Sequence, residues 1–137
     1  MQRLPDDYWY VIVGKGDLKD ELERIDTTGR LKLLGFRTDI VDLLHASDLF
    51  VFPSLQEGLP VALMEAMAAG VNVVASKIRG NTDLVDVNLV AATDVAGWKT
   101  GILKAIDKQR EENLEKIRTF SIEHVNSLMK ELYGKTL

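Results

Sequence analysis

Tyr8-Trp9-Tyr10-Val11-Ile12-Val13, followed by Gly14-Lys15-Gly16-Asp17, is the stretch on which the reading of the fold turns. The first six residues are a continuous apolar, β-rich run. A strand buried on both faces reads this way, whereas a half-buried one alternates, so the run points to a parallel sheet. Two glycines then end it, and Asp17 stands where a helix cap belongs, with Leu18, Leu22 and Ile25 on one stripe until Gly29. The side-chain period has changed from that of a strand to that of a helix.

Outward from there the same alternation repeats. Leu31 to Leu34 reads as a second strand, Thr38 or Asp39 caps a helix carrying Ile40, Leu43 and Leu44, and Leu49 to Phe52 is a third strand ending at Pro53. Val61 to Ala69 is a helix closed by Gly70, Val71 to Ala75 a fourth strand, Asn81 to Val85 a helical turn, and Leu89 to Ala92 a weaker fifth strand. Two amphipathic helices make residues 94–134 a helical C-terminus: one from about Asp94 to Lys108, the other carrying Leu114, Ile117, Val125, Leu128, Met129 and Leu132, with Ser121 as a fresh cap. Strands alternating with helices are βαβ units, so the expectation is an α/β, Rossmann-like fold with one parallel sheet flanked by helices on both faces.

Length and composition narrow the function classes. At 137 residues the chain fits one domain and has no room for separate cofactor and substrate domains. Hydrophobic residues at 46% and charged residues at 28% are the balance of a chain that buries a core. A net charge of −4 and a pI near 5.2 argue against phosphate-neutralising contact with nucleic acid. With no cysteine, and with His45 and His124 alone, there is no disulfide framework, thiolate zinc site or cysteine nucleophile. No apolar run approaches the ~20 residues of a membrane span, and Met1 to Asp7 lacks the order of a signal peptide, so a cytoplasmic, reducing location is expected.

Ligands of parallel sheets bind beyond the carboxyl ends of the strands, which singles out the turns Gly14 to Asp17, Gly35 to Asp39 and Ser54 to Pro60. The third is the most unusual. Between Leu59 and Val74 the only polar side chains are Glu65 and Asn72, so the helix from Val61 to Ala69 is apolar on every face and is expected to be buried all round. An ionised Glu65 there needs a partner. Glu57, on the turn before the helix, can converge with Glu65 on one pocket, where Gly58 lets backbone approach a ligand, Pro60 suits a first helical position and free N–H groups favour phosphate. Spacing alone equally admits a plainer arrangement, with Glu57 a solvated turn residue and Glu65 paired to an amide, Arg37 or Arg79.

The run Asp48-Leu-Phe-Val-Phe-Pro-Ser-Leu-Gln-Glu-Gly-Leu-Pro-Val-Ala-Leu-Met-Glu-Ala-Met-Ala-Ala-Gly70 resembles the signature of the retaining glycosyltransferases of the GT-B fold, family 4, whose glutamate pair corresponds to Glu57 and Glu65. Gly14-Lys15-Gly16-Asp17-Leu18, Leu34-Gly35-Phe36-Arg37, Leu43-Leu44-His45-Ala46-Ser47-Asp48, Val73-Val74-Ala75-Ser76 and Arg79-Gly80-Asn81-Thr82-Asp83 fall in the same order, so the resemblance covers roughly residues 5–86. It implies the C-terminal, donor-binding lobe, which takes a nucleotide-diphosphate sugar as donor substrate and needs no metal or other cofactor. Glu57 would be the catalytic residue beside the sugar and leaving group. Glu65 would accept from the ribose hydroxyls, the amides around Gly58 and Leu59 would face the sugar and diphosphate, and Arg37 would lie against the base.

The resemblance also implies what is missing. An acceptor-binding N-terminal lobe is not in this chain, and the donor lobe begins after the strand and helix that normally clamp the diphosphate with an Arg and a Lys. That strand would be central in the sheet, so its absence leaves two strand groups without their shared neighbour. A partial lobe follows as the expectation. It would work with a missing lobe, a partner chain or further copies of itself, in polysaccharide biosynthesis, meeting membrane only through its acceptor or partner. A non-catalytic subunit of a split glycosyltransferase is the alternative, and a GT-B-like nucleotide-sugar epimerase a third.

Overall fold

The structure is a computed structural model, and it describes residues 4–86, 88–107 and 116–134. Leu114, Lys108 and the side chain of Leu132, named above for the terminal helices, lie outside the described residues. The chain divides into two compact units, residues 1–40 and 41–137.

In the first unit β1 (Tyr10–Val13) and β2 (Leu31–Gly35) pair in parallel through α1 (Lys19–Ile25). Tyr10 sits opposite Leu31 and Ile12 opposite Leu33, and an irregularity after Ile12 sets Val13 against Gly35. The strand is where the apolar run predicts it, but its burial is not. Burial alternates along both strands, and Trp9, Val11 and Val13 are exposed, so β1 is covered on one face only. The reason is the thin layering of this unit: its one helix buries none of its residues. Asp17 is not the cap of α1 either; Leu18 takes the N-cap position, with no side-chain bond.

The turn from α1 into β2 is organised by Asp26. One carboxylate oxygen accepts from the Thr28 N–H at 3.0 Å and the Thr28 hydroxyl at 2.6 Å, while the other accepts from the Leu31 N–H at 2.9 Å. Three donors on one carboxylate favour its charged form, led by the Thr28 hydroxyl, and hold its pKa at about 2, below the ordinary 3.8.

After α2 (Ile40–His45) the second unit runs β3 (Leu49–Phe52), α3 (Val61–Ala68), β4 (Asn72–Ser76), α4 (Asn81–Leu84), β5 (Leu89–Val90), α5 (Val95–Ile106) and α6 (Ile122–Gly134). Its strands form a parallel sheet in the order β3-β4-β5, with Leu49 opposite Asn72, Phe52 opposite Ala75 and Ser76 opposite Val90. All five residues of β4 are buried, and α3 and α5 both pack on it. On α5, Gly101 lets the helix close on Val74 and Val90; an added Cβ would stand 3.1 Å from Val90 Cγ2. Asn72, the one polar residue of β4 before its last, donates to the carbonyl of Ala105 at 3.0 Å.

The predicted cap Ser121 is in place, accepting from the His124 N–H at 3.2 Å at the start of α6, and Asp94, where the sequence begins the preceding helix, caps α5 by accepting from the Gly97 N–H at 2.9 Å. The single sheet that the strand–helix alternation suggests is instead two, of two and three strands, which are the two strand groups that the resemblance leaves without their shared neighbour. The physical reason is that periodicity fixes what each segment is and not which segment adjoins which. The α/β class with parallel sheets flanked by helices holds. On α6 the stripe Ile122, Val125, Leu128 and Met129 is exposed. Among the described residues, no helix is long and apolar enough to cross a membrane.

Candidate functional site

The carboxyl end of β3 opens into the turn 53–60, and α3 follows. Helix α3 buries Leu63, Ala66 and Met67 against the sheet, the i, i+3, i+4 face of a helix with one covered side. Its other side, Val61, Ala62, Glu65 and Ala68, is exposed. The expectation of a helix buried all round is therefore corrected, and Glu65 with it. The carboxylate stands in the open and makes no hydrogen bond or ion pair among the described residues. The cause is that α3 packs on the sheet along one side, with Leu63, Ala66 and Met67, so apolar composition on every face did not produce burial on every face.

Glu57 is half-buried and oriented. Its Oε1 accepts from the Ser54 hydroxyl at 2.5 Å, across the turn that both residues bound. Pro60 is fully buried and holds the N-cap position, one residue earlier than a first helical position, and its carbonyl accepts from the Leu63 and Met64 N–H groups. The Val61 N–H goes to the Leu59 carbonyl at 3.0 Å. The amides of Gly58 and Leu59 donate to no acceptor among the described residues and so remain open for a ligand. Leu59 itself is 64% exposed.

A cavity of about 580 Å³ lies beside this turn, lined by Gln56, Glu57, Gly58, Ile78, Arg79 and Asp83 among others. The structure thus brings together Glu57 and Gly58 of the predicted site. Leu59 and Glu65 do not line this cavity. Arg37 belongs to the other unit, where its Nε donates to Asp39 Oδ1 at 2.7 Å and its Nη2 to Oδ2. This two-point pair raises the pKa of Arg37 and lowers that of Asp39. The glycine turn Gly14 to Gly16 borders a second cavity of about 500 Å³, within the first unit, between Ile12, Leu22 and Leu33.

Sequence reasoning passed over the turn after β4. The rule that singled out three strand ends applies equally to this fourth one, and Arg79-Gly80-Asn81 was the available signal. Gly80 has φ +91°, and a Cβ there would lie 2.9 Å from the Gly58 carbonyl oxygen and 3.1 Å from that of Glu57. The two turns are therefore in backbone contact at a place where only glycine fits. Beneath them, buried Asn81 donates to the Ser76 carbonyl at 3.0 Å and hydroxyl at 3.3 Å, and the Ser76 hydroxyl donates to the carbonyls of Phe52 and Ser54.

Residues 1–108 match the family described as Glycosyl transferases group 1. Among curated proteins, the chain is 38% identical to the UDP-Gal:alpha-D-GlcNAc-diphosphoundecaprenol alpha-1,3-galactosyltransferase of Escherichia coli, over 72% of this chain and 28% of that one. It is 41% identical to the amylovoran biosynthesis glycosyltransferase AmsK of Erwinia amylovora, over 65% of this chain and 23% of that one. The chain thus spans about a quarter of the length of these relatives. Among solved structures, Anabaena Alr3699/HepE in complex with UDP-glucose superposes with a TM-score of 0.79 at 25% identity, covering 97% of this chain and 42% of that one. TarM superposes with a TM-score of 0.78 at 22% identity, covering 89% and 28%.

Proposed function

Since this chain belongs to the group 1 glycosyltransferases, we propose that it is the donor-binding part of a retaining, metal-independent enzyme that moves a sugar from a nucleotide-diphosphate sugar to a saccharide or lipid-linked acceptor. The observation that carries the reading is the turn 53–60: a carboxylate oriented by Ser54, two open backbone amides beside it, and a cavity of about 580 Å³ lined by Glu57 and Gly58. Glu57 stands by the sugar and stabilises the glycosidic bond as it loosens toward an oxocarbenium-like state. The amides of Gly58 and Leu59 face the phosphates, and open Glu65 accepts from the ribose hydroxyls.

The likeness to a galactosyltransferase acting on a diphosphoundecaprenol-linked sugar supports a lipid-linked acceptor. Acceptor contacts come from a further lobe or a partner chain, and the reaction belongs on the cytoplasmic side, where nucleotide sugars are made. A second reading, a donor-binding subunit that works only when docked on another protein, is favoured by one observation: α6 leaves its apolar stripe in water. No observation favours the epimerase.

Calorimetric titration of the chain with UDP-, GDP- and ADP-sugars tests the proposal. One of them is expected to bind below millimolar, and Glu65→Ala to weaken it about tenfold, as loss of hydrogen bonds to a charged acceptor does. If none binds below millimolar, or if the variant binds as tightly as the parent, the donor assignment is wrong.

A further inference from the structure

The cavity beside Glu57 has a second wall, the turn after β4, and the cation on that wall has no partner among the described residues. Among the described residues lining the cavity, Arg79 is the one cation, and it shares the space with two carboxylates, Glu57 and Asp83. It pairs with neither: no ion pair or hydrogen bond of Arg79 exists among the described residues. Glu57 is turned to Ser54 instead, with the hydroxyl 2.5 Å from its Oε1. An arginine that faces two acids across one cavity and remains unpaired keeps its five N–H donors available to an incoming group.

Its position is fixed even though its tip is free. The next residue, Gly80, is in backbone contact with Glu57 and Gly58, close enough that no side chain fits between the turns. The residue after that, Asn81, is fully buried and donates to both the carbonyl and the hydroxyl of Ser76, whose hydroxyl in turn bonds the Ser54 carbonyl. The backbone that carries Arg79 is thus locked to the backbone that carries Glu57 and the open Gly58 amide. A cavity with two carboxylates repels a diphosphate unless a cation stands in it, and a planar guanidinium matches phosphate oxygens at two points.

We propose that Arg79 binds the diphosphate of the donor, acting from the turn after β4 together with the open amides of the turn after β3. The inference deepens the donor-site reading and rests on it. The β4–α4 turn then contributes the cation, while Asp83, in the helix α4 that follows it, is left to accept from sugar hydroxyls.

The test is an NMR and calorimetric titration of the full chain with UDP, GDP and ADP, then with the matching nucleoside of whichever diphosphate binds. Parent, Arg79→Gln and Arg79→Lys are compared, with thermal melting confirming that each folds. Binding of the diphosphate by the parent should shift the Gly58 and Gly80 amides. Arg79→Gln should weaken the diphosphate by about ten- to a hundredfold, leave nucleoside affinity unchanged and bind with a shallower salt dependence. Arg79→Lys should recover part of the loss. If Arg79→Gln binds the diphosphate like the parent, or loses nucleoside and diphosphate equally, Arg79 is not the phosphate ligand while the donor site stands. If the parent binds none of the three diphosphates, the donor-site reading itself fails, and this assignment with it.

Discussion

Asp26 and Glu65 show how differently two carboxylates fare at the scale of single residues. Asp26 is surrounded by donors, and its charge is part of the fold; with a pKa held at about 2 against an ordinary 3.8, it contributes stability that is fully present above the ordinary value. That stability is lost as pH falls from about 4 toward 2. The melting-temperature difference between the parent and Asp26→Asn should therefore be constant above pH ~4 and shrink below it, and a carboxyl NMR titration should place the Asp26 midpoint near 2. Glu65 was the residue most open to misreading. Its neighbours in sequence are apolar, and the inference from apolar neighbours to burial failed because burial depends on what covers a helix from outside it. Glu57 was the better-read residue: a polar side chain next to glycine at a strand end was legible as part of a turn. Its hydrogen bond to Ser54 was not, since it depends on how the chain doubles back within the turn.

Most elements were legible, because each follows from a period that local sequence fixes. The apolar segments 31–34, 49–52 and 71–75 coincide with β2, β3 and β4 to within a residue or so, the start near Asp94 marks α5, and the cap Ser121 marks α6. What the sequence left open was which side of an element is wet. Helix α3 makes this measurable. Leu63 is fully buried against the sheet, so Leu63→Ala should cost about 2–5 kcal/mol, whereas Val61→Ala on the open side of the same helix should change stability by no more than about 0.5 kcal/mol. Urea unfolding followed by Trp98 fluorescence, in a Trp9→Phe background, reads the second unit in both cases. Comparable losses from the two substitutions would show that the open side of α3 is covered after all.

For the whole molecule, the division into a two-stranded and a three-stranded ladder was not legible in the periodicity, because neighbouring edges leave no mark on either strand; it was legible only through the resemblance, which leaves two strand groups without the central strand between them. The two ladders should differ in stability as they differ in cover. Amide hydrogen exchange should be slowest in β4, whose five residues are buried, faster in β1 and β2, each covered on one face, and fastest in α6. Protection in β1 equal to that in β4 would contradict this ranking. Helix α6 carries a further implication. Thirteen residues make a marginal helix in water, and packing of its apolar stripe is what would ordinarily hold such a segment. For this segment, coiling and wetting are then opposed: an apolar phase laid along Ile122, Val125 and Leu128, even a detergent micelle, would wind the segment tighter at concentrations where detergents loosen ordinary folds.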